Sequence, residues 1–220
     1  DGIIISGMVD DAAVTCFQRQ QIPLVVLGNH DLKTPVTRVE LDMHQVGSAL
    51  AEGLLEHGHR QIAFVVEKPH HAYERMCLEG IQMRLLRDGF SLPEKNIIST
   101  GQTYSSGAAF IEPFLRLDPL PTALITTDTR VADECVAELR IRQIEVPGRV
   151  EVVSLTTKDR PMRSRYRALN LGLERCGRLA VKRLSELVET PNMEPCATVL
   201  KVTEWFEPIF PNLNKSHQKS

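Results

Sequence analysis

Short, continuous apolar runs return along this chain, each followed by a stretch with helical periodicity, and that alternation restricts the fold more than any other feature. The runs lie in DGIIISG (1–7), IPLVVLG (22–28), QIAFVV (61–66), PTALITT (121–127) and VEVVSL (150–155). A strand wetted on one face alternates apolar and polar residues, whereas an unbroken apolar run is buried on both faces. Strands of that kind belong to parallel sheets with helices on each side.

The segments between the runs carry helix signals. DDAAVTCFQRQ (10–20) begins with an Asp at a cap position and keeps apolar residues at helical spacing. The stretch VELDMHQVGSALAEGLLEHGHRQIAFVV (39–66) predicts a helix with Val46, Leu50, Leu54 and Leu55 on its apolar side, ended by Gly58, with His59 and Arg60 capping the last carbonyls before a strand at 62–66. Helices are further predicted at 73–88, 106–117, 129–142 and 174–189, and strands at 96–100, 122–126, 150–155 and 197–206. Ser105 and Ser106 stand where N-caps of the 106–117 helix belong, and Asp128 where the cap of the 129–142 helix belongs. The expected fold is α/β, with two Rossmann-like lobes, parallel sheets and a ligand cleft between them.

Composition narrows the function classes. A formal net charge of −2 over 220 residues gives no general attraction to a nucleic-acid backbone. Five Cys without CxxC spacing suggest neither a zinc site nor a disulfide framework and fit a reduced, cytoplasmic protein. No signal-peptide pattern and no apolar run long enough for a bilayer are present, so no membrane partner is expected.

In order and spacing, DGIIISG, IPLVVLG, GSALAEGLLEHGHRQIAFVV, RMCLEGIQMRLLRDG, TYSSGAAF, PTALITTD, VADECVAELRIRQIEVPGRVEVVSL and CGRLAVKRLSELV resemble the effector-binding core of LacI/GalR-type bacterial transcription regulators. That core has a periplasmic-binding-protein-like fold. The resemblance implies a first lobe at 1–41 plus 171–195, a second at 42–170, a crossover strand at 196–210 and a flexible tail at 211–220. It further implies that the first lobe is incomplete here, and that operator DNA is read by an N-terminal headpiece not in this chain. The implied protein is a noncatalytic homodimer without cofactor or metal, sensing a small-molecule effector.

The family's ligand-facing positions carry over as Ser6, Arg75, Gln102, Thr127, Asp128 and Thr156. Several depart from the family pattern. Cys77 occupies the usual Arg position three residues before Gly80, with Arg75 as its candidate substitute; Gln102 stands at the aromatic stacking position, Thr127 where Asn is usual, and Thr156 where Asp is usual. Gly28 and Leu171 fill two further positions that are often polar. Loss of charged hydrogen-bonding groups argues against a simple free hexose. The effector is then a different small ligand, a sugar or a small anion, the latter drawn by five basic residues at 158–167 unless these are only a solvated run; the alternative is a drifted cleft that binds weakly.

Two competing readings come from other classes. A periplasmic or surface solute-binding protein would share the fold, but five unpaired Cys argue against it. GNHD (28–31) resembles the strand-end Asn and His of metal phosphoesterases, yet the 27 preceding residues supply neither the Asp-x-His nor the Gly-Asp pair that two metals need. His30 is therefore expected in a loop and Asp31 as a turn cap.

Overall fold

In the computed structural model, which describes residues 1–67, 71–102, 104–158, 164–190 and 193–208, the apolar runs become the strands of two sheets. The chain runs β1 (Ile3–Ser6), α1 (Asp11–Arg19), β2 (Leu24–Leu27), β3 (Thr37–Leu41), α2 (Met43–Glu56), β4 (Ile62–Val66) and α3 (Ala72–Arg87). After a 3-10 turn at Glu94–Asn96 come β5 (Ile97–Ser99), α4 (Gly107–Leu115), β6 (Ala123–Thr126), α5 (Thr129–Ile141), β7 (Glu151–Thr156), β8 (Arg167–Asn170), α6 (Leu173–Glu189), β9 (Ala197–Leu200) and β10 (Glu204–Phe206).

The first sheet has the order β1-β2-β3-β9 and the second β10-β8-β7-β6-β4-β5. All pairings are parallel except β10 against β8. Burial on both faces follows the strand alternation. In β2, Val25 faces Cys176 and Ala180 of α6, while Leu24 and Val26 face Val14 of α1. In β4, Ile62, Phe64 and Val66 join α2 and α3 on one side, and Ala63 and Val65 join α4 and α5 on the other. Strand β1 lies at the sheet edge with its isoleucines only partly buried, unlike the doubly covered strand that its sequence predicts.

Two elements differ from the sequence expectation. The segment read as the beginning of the α2 helix contains β3, and the helix starts only after Asp42, whose carboxylate accepts from the Gln45 amide at 3.0 Å. The single strand predicted at 197–206 is two strands in different sheets, interrupted at 201–203. The break has a direct cause. The Gln45 side chain donates to the Val202 carbonyl at 2.9 Å and accepts from its amide at 3.0 Å, so Val202 is buried with its backbone satisfied outside any ladder.

Caps show the same mixture. Gly58 sits at φ 86° and Arg60 donates to the Leu55 carbonyl at 2.9 Å, but the His59 ring turns away to Thr122 and Glu151, each at 2.9 Å. Ser106 holds the N-cap position of α4 without a side-chain bond; Glu134 accepts from the Gly107 amide instead, at 3.1 Å.

Helices α2 and α3 meet backbone to backbone. A Cβ at Gly47 would lie 2.0 Å from the Cys77 carbonyl oxygen, and one at Gly80 would lie 2.1 Å from that of His44. Gly47→Ala and Gly80→Ala should each lower stability by about 3 kcal/mol, the upper part of the overpacking range, because rigid backbone must move. Gly58→Ala meets open space and pays only for its left-handed backbone, about 1 kcal/mol. Urea denaturation of the three variants checks this order, and equal losses would contradict it.

Candidate functional site

Parallel strands end on a common side, and their carboxyl ends are where open α/β sheets receive ligands. A cleft of about 720 Å³ opens there between the two sheets. Its first wall comes from the ends of β1 and β2, including Gly7, Met8, Gly28 and Asp31; its second comes from α3 and the ends of β6 and β7, including Tyr73, Thr127 and Leu155. Most of the lining is apolar, with aspartates at the first wall.

The residues expected from sequence are dispersed around this cleft. Thr127 lines it. Ser6 ends β1 just before the lining residue Gly7. Asp128 caps α5, accepting from the Arg130 amide at 2.6 Å. Thr156 is buried at the end of β7, where its hydroxyl accepts from the Lys158 amide at 3.1 Å. Gln102 is exposed in the loop after edge strand β5, outside the cleft lining. Cys77 is fully buried under α2, and burial pushes its thiol up to about 12.

Arg75 reaches across the cleft. It donates to both oxygens of Asp31, at 2.7 and 3.1 Å, tying α3 to the loop after β2. Asp31 is therefore an ion-pair partner and not the turn cap expected from sequence. The Arg75 hydrogen bonds hold its carboxyl below the ordinary carboxylate range. The rest of GNHD also shapes the loop: Gly28 takes φ 113°, and the Asn29 side chain donates to the Leu41 carbonyl at 2.8 Å. Among the described residues no cluster of three His, Cys, Asp or Glu is arranged to hold a metal.

Sequence reasoning missed Tyr73 and Glu74. Tyr73 supplies the aromatic surface that was sought at Gln102, and its ring stacks on His71 with centroids 5.8 Å apart. Glu74 is buried behind it and accepts from the Thr127 hydroxyl at 3.3 Å. Burial first, then the charges of Glu67 and Asp128, push its pKa to about 7, against hydrogen bonds from Tyr73 and Thr127 that lower it. Tyr73 is raised in turn, chiefly by burial and then by Glu74. On the outer side of this wall, Arg130 pairs with Glu67 and lies 5.1 Å from the centre of the exposed Tyr104 ring.

Two arginines of the basic stretch at 158–167 stand away from the cleft. Residues 159–163 lie outside the described residues, and Arg165 and Arg167 line a separate hollow beside His57 and Glu151. Arg167 pairs with Glu207 at 3.1 Å and lies 4.5 Å from the centre of the Trp205 ring.

A model of the periplasmic binding protein-like domain matches residues 51–206. The chain belongs to that family. It is 28% identical over 171 residues to catabolite control protein A of Priestia megaterium, covering 73% of this chain and 51% of the relative. It also shares the fold of a LacI-family regulatory protein from Chloroflexus aggregans, with TM-score 0.82, 21% identity and coverage of 92% and 74% of the two chains. The structure titled as a complex of the transcriptional regulator CelR with cellobiose superposes with TM-score 0.81 and 24% identity, covering 92% of this chain and 64% of that one. The chain spans about half the length of the curated relatives it matches. Two further relatives, RafR of Escherichia coli and DegA of Bacillus subtilis, are HTH-type transcriptional regulators. No helix among the described residues is long and apolar enough to cross a membrane.

Two predictions follow from the walls. Breaking the exposed Asp31–Arg75 pair with Arg75→Ala should cost less than about 1 kcal/mol and lose its effect in high salt; a double-mutant cycle with Asp31→Ala checks this. Because the folded-state pKa of Glu74, about 7, exceeds its ordinary 4.5, the folded chain binds the extra proton. Its contribution is full below about pH 4.5 and is lost as pH rises through 7. Glu74→Gln should remove that decline, and melting temperatures of the two proteins between pH 5 and 8 would show parallel curves if Glu74 were not responsible.

Proposed function

We propose that this chain is the effector-sensing and dimerisation core of a bacterial LacI/GalR-type transcription regulator, noncatalytic and cytoplasmic, acting on operator DNA through a domain outside this chain. The observation that carries the proposal is the cleft at the carboxyl ends of two parallel sheets, walled from both sides and bridged by Asp31 and Arg75. The lobes would be 1–41 with 171–195, and 42–170. In support, β1, β2 and β3 share one sheet under α6, while β4 to β8 share the other.

The mechanism is a population shift. A ligand that touches both walls stabilises the lobe arrangement in which those contacts coexist. Three chain crossings between the sheets, before α2, before α6 and at 201–203, then carry that arrangement to whatever the first lobe is joined to. Thr127, which lines the cleft, is the ligand-facing group of this reading, and Ser6, Arg75, Asp128 and Thr156 are its supporting groups at the neighbouring strand and helix ends, with Gln102 more remote. The likeness to HTH-type transcriptional regulators and to a LacI-family regulatory protein favours this reading over a solute-binding protein of the same fold.

The cleft supports an uncharged effector over an anion, since Asp10, Asp11 and Asp31 line it and the neighbouring guanidinium of Arg75 is already paired. A thermal-shift screen of neutral mono- and disaccharides, sugar phosphates and small anions is expected to give a rise of several degrees with a neutral sugar. Silence from every sugar class together with stabilisation by an anion would overturn the sugar-sensing assignment.

A further inference from the structure

The polar side chains that line the cleft are almost all engaged by the fold. Asp10 accepts from the Ala13 amide at 2.8 Å, and Asp11 accepts from the Lys33 and Thr34 amides at 2.9 and 2.6 Å. Asn29 donates to the Leu41 carbonyl, Arg75 holds both oxygens of Asp31, and the Thr127 hydroxyl donates to Glu74. Two imidazoles, His30 and His71, remain for a ligand's hydroxyl groups, and His71 is already stacked on Tyr73. The surface left open is chiefly apolar. Met8, in the turn after β1, is 88% exposed, and Tyr73, at the start of α3, is 38% exposed; they belong to opposite walls. The Tyr73 hydroxyl is directed at the buried Glu74 carboxyl, so Tyr73 offers the cleft its ring. Val9, Leu27, Leu41 and Leu171, each partly buried, continue that surface.

We propose that the effector is an uncharged glycoside with an aromatic aglycone, whose ring packs on the apolar surface that includes Met8, Tyr73 and Leu171. The inference rests on the effector-sensing role proposed above and names the ligand class of that same cleft.

A free sugar presents hydroxyls around its whole rim, and each one that leaves water without a partner costs binding free energy. This lining has few groups left to receive them. An aryl group needs no such partners and gains in proportion to the apolar area it removes from water. Charge does not favour an ionised ligand of either sign. The guanidinium of Arg75 is paired, so an anion meets only the carboxylates of the first wall. Asp10 caps α1 and Asp11 is its first residue, so the positive end of that helix offsets their pull on a cation.

The test is calorimetric binding to the full chain with matched methyl and phenyl glycosides of glucose, galactose and mannose, in both anomers, and with glucose 6-phosphate and phenethylamine as charged probes. For a sugar that binds, the phenyl glycoside should bind about tenfold tighter than the methyl glycoside or better, and with a more negative heat-capacity change. Tyr73→Ala should collapse that ratio and Tyr73→Phe should restore it, because the ring is the contact. Met8→Ser, at an exposed position outside every helix and strand, should narrow the ratio too and decides the matter if thermal melts show that Tyr73→Ala does not fold. Equal affinities for phenyl and methyl glycosides would overturn the inference while leaving the cleft's sensing role intact. A ratio that survives the substitutions at both positions would overturn the assignment of the aryl group to this surface. Tighter binding of glucose 6-phosphate or phenethylamine than of any glycoside would overturn the uncharged class, and silence of every glycoside would remove the sensing assignment and this inference together.

Discussion

The backbone contact between α2 and α3 governs the second wall of the cleft. Gly47 and Gly80 let the two helices approach until carbonyl oxygens occupy the space of absent side chains, and this fixes the rotation of α3 about its axis. Three consecutive residues at its amino end then have separate duties. Tyr73 faces the cleft, Glu74 is buried toward Thr127, and Arg75 reaches Asp31 on the other wall. Cys77, one turn on, lies against α2 with its carbonyl over Gly47, which leaves it no access to a ligand. The packing of two helices and the chemistry of the cleft are therefore one problem, because a rotated α3 would move all four residues together.

Charge in the cleft is distributed by pairing more than by composition. Arg75 and Arg130 stand near the opening, yet each is taken by a carboxylate, Asp31 and Glu67 respectively. Glu74, little exposed to water, is raised to about 7, chiefly by burial and further by the charges of Glu67 and Asp128. In the basic stretch at 158–167, Arg167 is engaged by Trp205 and Glu207 at the amino end of β8. Counting charges along the chain suggested attraction for an anion, whereas the pairing of Arg75 and Arg130 engages both guanidinium groups with carboxylates.

Much of the fold was legible because it depends on local pattern. Apolar runs with small or polar ends became β2, β4, β6 and β7, and helical periodicity placed α1 to α6 to within a few residues. Asp10 and Asp128, read as caps, each accept an amide from the first turn of the helix that follows. The failures are of another kind. β3 was hidden because its residues continue into the periodicity of α2, and the division of 197–206 depends on Gln45, far away in the chain, binding Val202. The candidate site was legible at Thr127, which a strand end followed by a helix cap marks as cleft wall, but not at Tyr73 or Glu74, since nothing in AYERMC tells which helical face meets a crevice.

By itself, then, the sequence determined the alternation of strand and helix, the parallel character of the sheets, the caps and the family likeness, all of which arise from hydrophobic period and short-range backbone chemistry. Tertiary structure alone decided that the last strand splits between two sheets, that Arg75 is spent on Asp31, and that Glu74 is sealed into a wall with one oxygen unpaired. The physical reason is that pairing and desolvation depend on what lies within a few ångströms in space, and here those neighbours come from segments 44 residues apart for Arg75 and Asp31, 53 for Thr127 and Glu74, and 157 for Gln45 and Val202.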